Sequence, residues 1–246
     1  MDPFAQLKNN LRNLNEGSLR SDKPLRFGLG FLKVSELIQQ IYCELKLHYM
    51  YSKGIEPEYK RRSIIRKLLE LYFQVEKDID KAKTGRAYVR IPLTSIIQGV
   101  PIIGTPDTIL FDHYTPLAIL RVKKSNKLKI YPEDEVRGLI YGRLLEALGF
   151  NVNALRYIIV VIKDLRDILD VLHEVIDNIV KEEYHATSIP NVRIAIRVYN
   201  GKEAEELLSY LLSYWRMLRE PKPNPSKPKC RRCEYSSICP HAIRSM

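Results

Sequence analysis

Residues 101–124 read PIIGTPDTILFDHYTPLAILRVKK, and residues 132–150 read PEDEVRGLIYGRLLEALGF. The first stretch is β-rich. PIIGTPDTILFD reads as one strand entered through Gly104 and Pro106, HYTP turns the chain, and PLAILRVKK returns as a second strand. The second stretch reads as a helix with an acidic first turn, ending at Gly149. A hairpin followed directly by a helix sets the pattern for the middle of the chain.

The pattern continues outward. LRYIIVVI (155–162) reads as a buried strand and DLRDILDVLHEVIDNIVKEEY (164–184) as a long amphipathic helix. NVRIAIRVY (191–199) is another strand and KEAEELLSYLLSYWRML (202–218) a last helix. Upstream, KVSELIQQIYCELKLHYMYSKG (33–54) reads as one helix capped by Ser35, and PEYKRRSIIRKLLELYFQVEKDI (57–79) as a second. AYVRIPL (87–93) is a short strand. Residues 1–32 read as an irregular arm. Strands alternating with helices predict an α/β domain over 33–218, with one central mixed sheet flanked by helices.

Composition narrows the function. The chain has 246 residues, of which 45% are hydrophobic and 28% charged, so it can bury a sizeable core. It carries 40 Lys and Arg against 29 Asp and Glu, a formal charge of +11, which favours a polyanionic partner and nucleic acid first. No run of apolar residues is long enough to span a bilayer. The opening MDPFAQLKNNLRNLNEG lacks a signal-peptide core. The protein is expected in the cytoplasm, with no membrane partner. Disulfides are rare there, so its four cysteines read as metal ligands or core residues.

Three of those cysteines fall in KCRRCEYSSICP (229–240): Cys230, Cys233 and Cys239. The Pro-rich basic linker REPKPNPSKPK (219–229) leads into them, and residues 219–246 form a C-terminal linker and cysteine loop. The spacing Cys-x2-Cys-x5-Cys brings three thiolates to one centre, and Cys43 is the only cysteine left for a fourth. Zinc and a [4Fe–4S] cluster both take four thiolates. Structural zinc more often uses two paired knuckles, so the three-plus-one split leans toward iron–sulfur. Ligation would staple the two ends of the domain together.

YCELKLH around Cys43, the C-terminal Cys-x2-Cys-x5-Cys-Pro and the intervening GTPDTIL, ILRVK and VRGLIYGRLLEALGF resemble the RecB-like iron–sulfur nucleases. Among these, the CRISPR-associated exonucleases of Cas family four are the closest match. The resemblance spans about 33 to 240. It implies a PD-(D/E)xK nuclease fold and a [4Fe–4S] cluster. It also implies Mg²⁺ or Mn²⁺, and cleavage of DNA that is single-stranded or carries overhangs. In the CRISPR setting it implies work beside integrase proteins.

Carried over by motif, Asp107 matches the metal-binding strand Asp, Lys123 the catalytic Lys and Tyr141 a helix Tyr that helps place DNA. Three family positions have changed. The Glu/Asp position holds Arg121, the Gln position holds Arg137, and the His region holds Arg66 or Lys67. Acidic, neutral or titratable groups have all become cationic. Arg121 and Lys123 are two apart on a strand and so share a face. Arg121 is expected to take the metal's place in a bidentate pair with Asp107. The expected product is a DNA-binding groove of Arg66, Lys67, Arg121, Lys123 and Arg137 with a disabled or weakened hydrolytic site. Two other readings stand beside it. One is an active metal-dependent exonuclease whose second carboxylate comes from Asp112, Glu133, Asp134 or Glu135. The other is a cluster- or zinc-stapled scaffold that contacts protein.

Overall fold

The computed structural model describes residues 2–53, 72–164 and 190–243. Arg66 and Lys67, most of the helix expected over 57–79 and nearly all of that expected over 164–184 lie outside the described residues. The architecture is mixed α/β, with a mixed sheet flanked by helices.

The N-terminal arm is not irregular. It forms α1 (Pro3–Asn15), with the Asp2 carboxylate accepting from Phe4 N–H at 2.9 Å and proline in the first turn. Phe4, Leu7, Leu11 and Leu14 recur at helical spacing and are buried. The Phe4 ring sits 5.4 Å from Phe111 and 4.9 Å from Phe150, so α1 closes one end of the core. Phe4→Ala is expected to cost about 3–5 kcal/mol, the usual loss for a buried aromatic, as a lowered midpoint in urea unfolding.

The helix expected over 33–54 is two helices, α2 (Val34–Tyr42) and α3 (Glu44–Ser52). Cys43 is extended between them, and its N–H closes α2 by donating to Gln39 O at 3.0 Å. Ser35 lies inside α2. The N-terminus is held instead by the Glu36 carboxylate, which accepts from Lys33 N–H at 2.7 Å.

The stretch around Asp107 is two strands in two sheets, not one strand in one sheet. β1 (Leu32–Lys33), β4 (Val100–Gly104) and β3 (Leu93–Ile97) make a three-stranded sheet in the order β1-β4-β3. The larger sheet runs β2-β5-β6-β7-β8. Its strands are β2 (Arg86–Val89), β5 (Thr108–Asp112), β6 (Thr115–Lys124), β7 (Arg156–Ile162) and β8 (Val192–Val198). Within it β6 and β7 are parallel and the other pairs antiparallel. Residues 105–107 lie between the two ladders, and Pro106 has no N–H to donate to either. That break sets Asp107 at the seam between the sheets.

Two further helices belong to the core. α4 (Tyr72–Thr84) precedes β2, and α5 (Pro132–Ala147) lies across the larger sheet. Gly138 and Gly142 let α5 approach closely. A Cβ at Gly138 would stand 2.4 Å from the Tyr157 ring, and one at Gly142 would stand 2.3 Å from the Tyr199 ring. Gly149 follows at φ +92°, past the helix end, as the sequence implies. α6 (Gly201–Trp215) and the short α7 (Lys227–Arg231) complete the described α-helices.

Candidate functional site

β6 carries Arg121 and Lys123 on one face. Arg121 is registered with Ile159, and Lys123 with Val161, on β7. α5 crosses that face and brings Asp134, Arg137 and Tyr141 down onto it. With Asp107 they border a pocket of about 260 Å³ of empty space, except that Lys123 stands at its edge.

Arg121 Nη1 donates to Asp107 Oδ2 at 2.7 Å. The pair is not the bidentate one expected, because the guanidinium is shared. Its Nε lies 3.8 Å from Asp134 Oδ1. Lys123 Nζ donates to Asp134 Oδ2, which also accepts from Tyr131 N–H at 3.1 Å. Asp134 is 9% exposed at its side chain, and two cations and a backbone amide offset its desolvation. The acidic helix turn and the site carboxylate are thus the same residue. Asp112 pairs with Arg86 at 3.0 Å, and Glu135 with Arg197 at 3.2 Å, both outside this pocket. Glu133 does not line it either.

Tyr141 is in the pocket, but its hydroxyl donates to Thr105 O at 2.9 Å. Burial pushes this phenol up to about 12 against the opposing pull of Arg137, so it stays neutral. The Arg137 Nε is buried and has no hydrogen-bond partner among the described residues. Two carboxylates and three cations therefore meet here. The pocket does not fit a divalent ion: each carboxylate is engaged by a cation where metal would bind, and the cations outnumber them.

The second candidate centre lies at the α2–α3 break. Cys43, Cys230, Cys233 and Cys239 border a single cavity of about 430 Å³ of empty space. The break leaves carbonyls at the end of α2 without helical partners, and the C-terminal segment supplies them. Asn224 Nδ2 donates to Ile41 O at 3.2 Å, and Lys229 Nζ to Tyr42 O at 2.9 Å. Lys46 Nζ meets Glu234 at 2.9 Å, and Tyr235 is buried against Tyr49. Lys46, Lys229 and His241 border the thiols and suit the negative charge of a thiolate-ligated cluster. The four thiols share this space. Among the described residues no three Cys, His, Asp or Glu side chains converge to hold one metal ion.

Residues 33–240 match the family model for the PD-(D/E)XK nuclease superfamily, and the chain belongs to that superfamily. No curated protein matches it. Among solved structures, one described as "Crystal structure of SSO0001" is 17% identical. That match covers 99% of this chain and 98% of the other, with a TM-score of 0.39. No helix among the described residues is long and apolar enough to cross a membrane.

Proposed function

We propose that this protein grips a DNA phosphate backbone at a former hydrolytic site without cutting it. One observation carries the reading: Arg121 donates to Asp107 at 2.7 Å, where a nuclease of this superfamily needs its metal. A guanidinium cannot generate a hydroxide from bound water, which is the metal's task in hydrolysis. It binds phosphate well, and Arg137 and Lys123 stand beside it. With a formal charge of +11, association with polyanions is favoured. Single-stranded DNA is the preferred ligand, and CRISPR integrase proteins are the proposed partners. Both proposals rest on the motif pattern around Cys43, Asp107 and the C-terminal cysteines.

We infer that Cys43, Cys230, Cys233 and Cys239 hold a [4Fe–4S] cluster, with zinc as the other candidate. The cluster would supply a covalent staple between the α2–α3 break and the C-terminal loop. Purified Cys43→Ser protein is expected to lose most of its iron and acid-labile sulfide. Residues 219–242 should then become the first site of proteolysis. Wild-type protein with full zinc and no sulfide would replace the cluster with a zinc knuckle.

The central test is single-stranded DNA degradation with Mn²⁺ and then Mg²⁺, with binding measured in parallel. Binding without cleavage is expected. Affinity should fall with salt, with a log–log slope of about −0.7 per neutralised phosphate. A second reading draws on Asp134, which puts a second carboxylate in the Asp107 pocket. Cleavage that vanishes in Asp107→Ala would establish that reading and overturn the first.

A further inference from the structure

We propose that the cleft between Tyr131 and β8 is a second subsite for single-stranded nucleic acid, seating a base on the Tyr131 ring and phosphates at Arg193 and Arg197. This inference rests on the nucleic-acid reading above and extends it to a part of the fold outside the superfamily motif.

Register carries the first half of the argument. Lys123 pairs with Val161, and Val161 pairs with Arg193. Ile119 pairs with Tyr157, and Tyr157 with Arg197. Paired residues share a face of a sheet. Arg193 and Arg197 therefore project from the same face as Arg121 and Lys123, with Ala195 between them leaving room. Lys123 and Arg193 are two strand spacings apart, roughly 10 Å. Among the described residues β8 is the last strand of the sheet, so the basic surface at the Asp107 pocket continues to that strand.

The cleft there holds about 870 Å³ of empty space, open solvent included, and is bordered by Ile130, Tyr131, Pro132, Glu135 and β8. A nucleotide fits a space of this order. Tyr131 is 38% exposed. Lys123 and Lys129 lie over its ring at 4.7 and 5.2 Å from the centroid; Lys123 is held by Asp134, so a base stacking there displaces the Lys129 ammonium, which is then close by for its phosphate. Arg193 has no ion pair among the described residues. Arg197 meets Glu135 at 3.2 Å, but Arg197 is exposed and Glu135 only half-buried, and such a surface pair exchanges readily for a phosphate. An aromatic ring among lysines and arginines, continuous with the first site, favours a single strand over a peptide added to the β8 edge.

The test uses full-length protein and fluorescence anisotropy with short and long oligothymidylates across a salt series. Arg193→Gln combined with Arg197→Gln is expected to weaken binding of the long strand about tenfold and leave the short one unchanged. Its salt dependence should become shallower by about 1.4, two phosphates at about 0.7 each. Tyr131→Ala should lose about tenfold on the long strand but nothing on an abasic strand of equal length. Tyr131→Phe should bind as wild type. If wild type binds and the double variant matches it on the long strand, the subsite is refuted while the first reading stands. If Tyr131→Phe loses as much as Tyr131→Ala, stacking is refuted. If wild type binds no single strand at all, both readings fall.

Discussion

Arg121→Glu is expected to create the metal-dependent DNA cleavage that the proposed non-cutting wild type lacks. The change removes the guanidinium from Asp107, where it donates at 2.7 Å, and returns a carboxylate to the face shared with Lys123. Three carboxylates, Asp107, Asp134 and the new glutamate, would then meet at this pocket, with Lys123 two residues on from the new one. A metal at such a site is worth several kcal/mol of transition-state stabilisation, so cleavage should exceed the wild-type rate by at least about a hundredfold. Adding Asp107→Ala to this variant should abolish it. A second readout does not depend on activity. Mn²⁺ should raise the melting temperature of Arg121→Glu and leave that of wild type unchanged, because ligand bound only to the folded state stabilises it. If the variant neither cleaves nor responds to Mn²⁺, Arg121 is not what excludes the metal.

Arg219→Ala is expected to be the most destabilising single change to the polar interior. Arg219 forms a two-pronged pair with Glu44, at 2.5 and 2.6 Å, and the Glu44 side chain is 4% exposed. The same carboxylate accepts from Lys222 N–H at 2.7 Å and from Gln40 Nε2 at 2.7 Å. Gln40 in turn accepts from Trp215 Nε1 at 2.9 Å. Removing the guanidinium leaves a buried charge without its main partner, at a cost of about 3–5 kcal/mol. For a chain of this size that is a melting shift of roughly ten degrees. The damage should concentrate in the linker, because Glu44 ties residues 219–222 to the start of α3, one residue from Cys43. Limited proteolysis should then cut between Arg219 and Lys229 first. Replacing both partners, in Glu44→Leu with Arg219→Leu, should cost less than Arg219→Ala alone. A double variant as unstable as the single would show that packing, not the unpaired charge, sets the loss.

These two clusters show why parts of the molecule were legible and others not. The motif resemblance pointed to Asp107, Lys123 and Tyr141, and local spacing put Arg121 beside Lys123 on one strand face and Arg137 one turn from Tyr141 on one helix. The partner of Lys123 was not. Asp134 reads equally well as an acidic first turn, and only the packing of α5 on the sheet, with Gly138 and Gly142 against Tyr157 and Tyr199, turns it into the site. The bidentate expectation for Arg121 failed for the same reason, since a second carboxylate competes for the guanidinium. Arg193 and Arg197 carry a period-two signal in RIAIR. Their relation to Lys123 runs through two strand registers that no local pattern specifies.

Local patterns in the chain carried the α/β class, the strand–turn–strand–helix order around Asp107 and the isolation of Cys43 from its three counterparts, and the motif resemblance carried the cationic changes. Periodicity, turn residues and composition are local quantities, and a chain carries them without folding. Long-range packing split the Asp107 stretch between two sheets and made α1 a helix that closes the core. It alone decided that the helix around Cys43 breaks there to face the C-terminal loop. Each of these depends on which distant surface a segment buries. A polar stretch such as PFAQLKNNLRNLN becomes a helix because Phe4, Leu7, Leu11 and Leu14 find Phe111, Phe150 and the rest of the core to lie against.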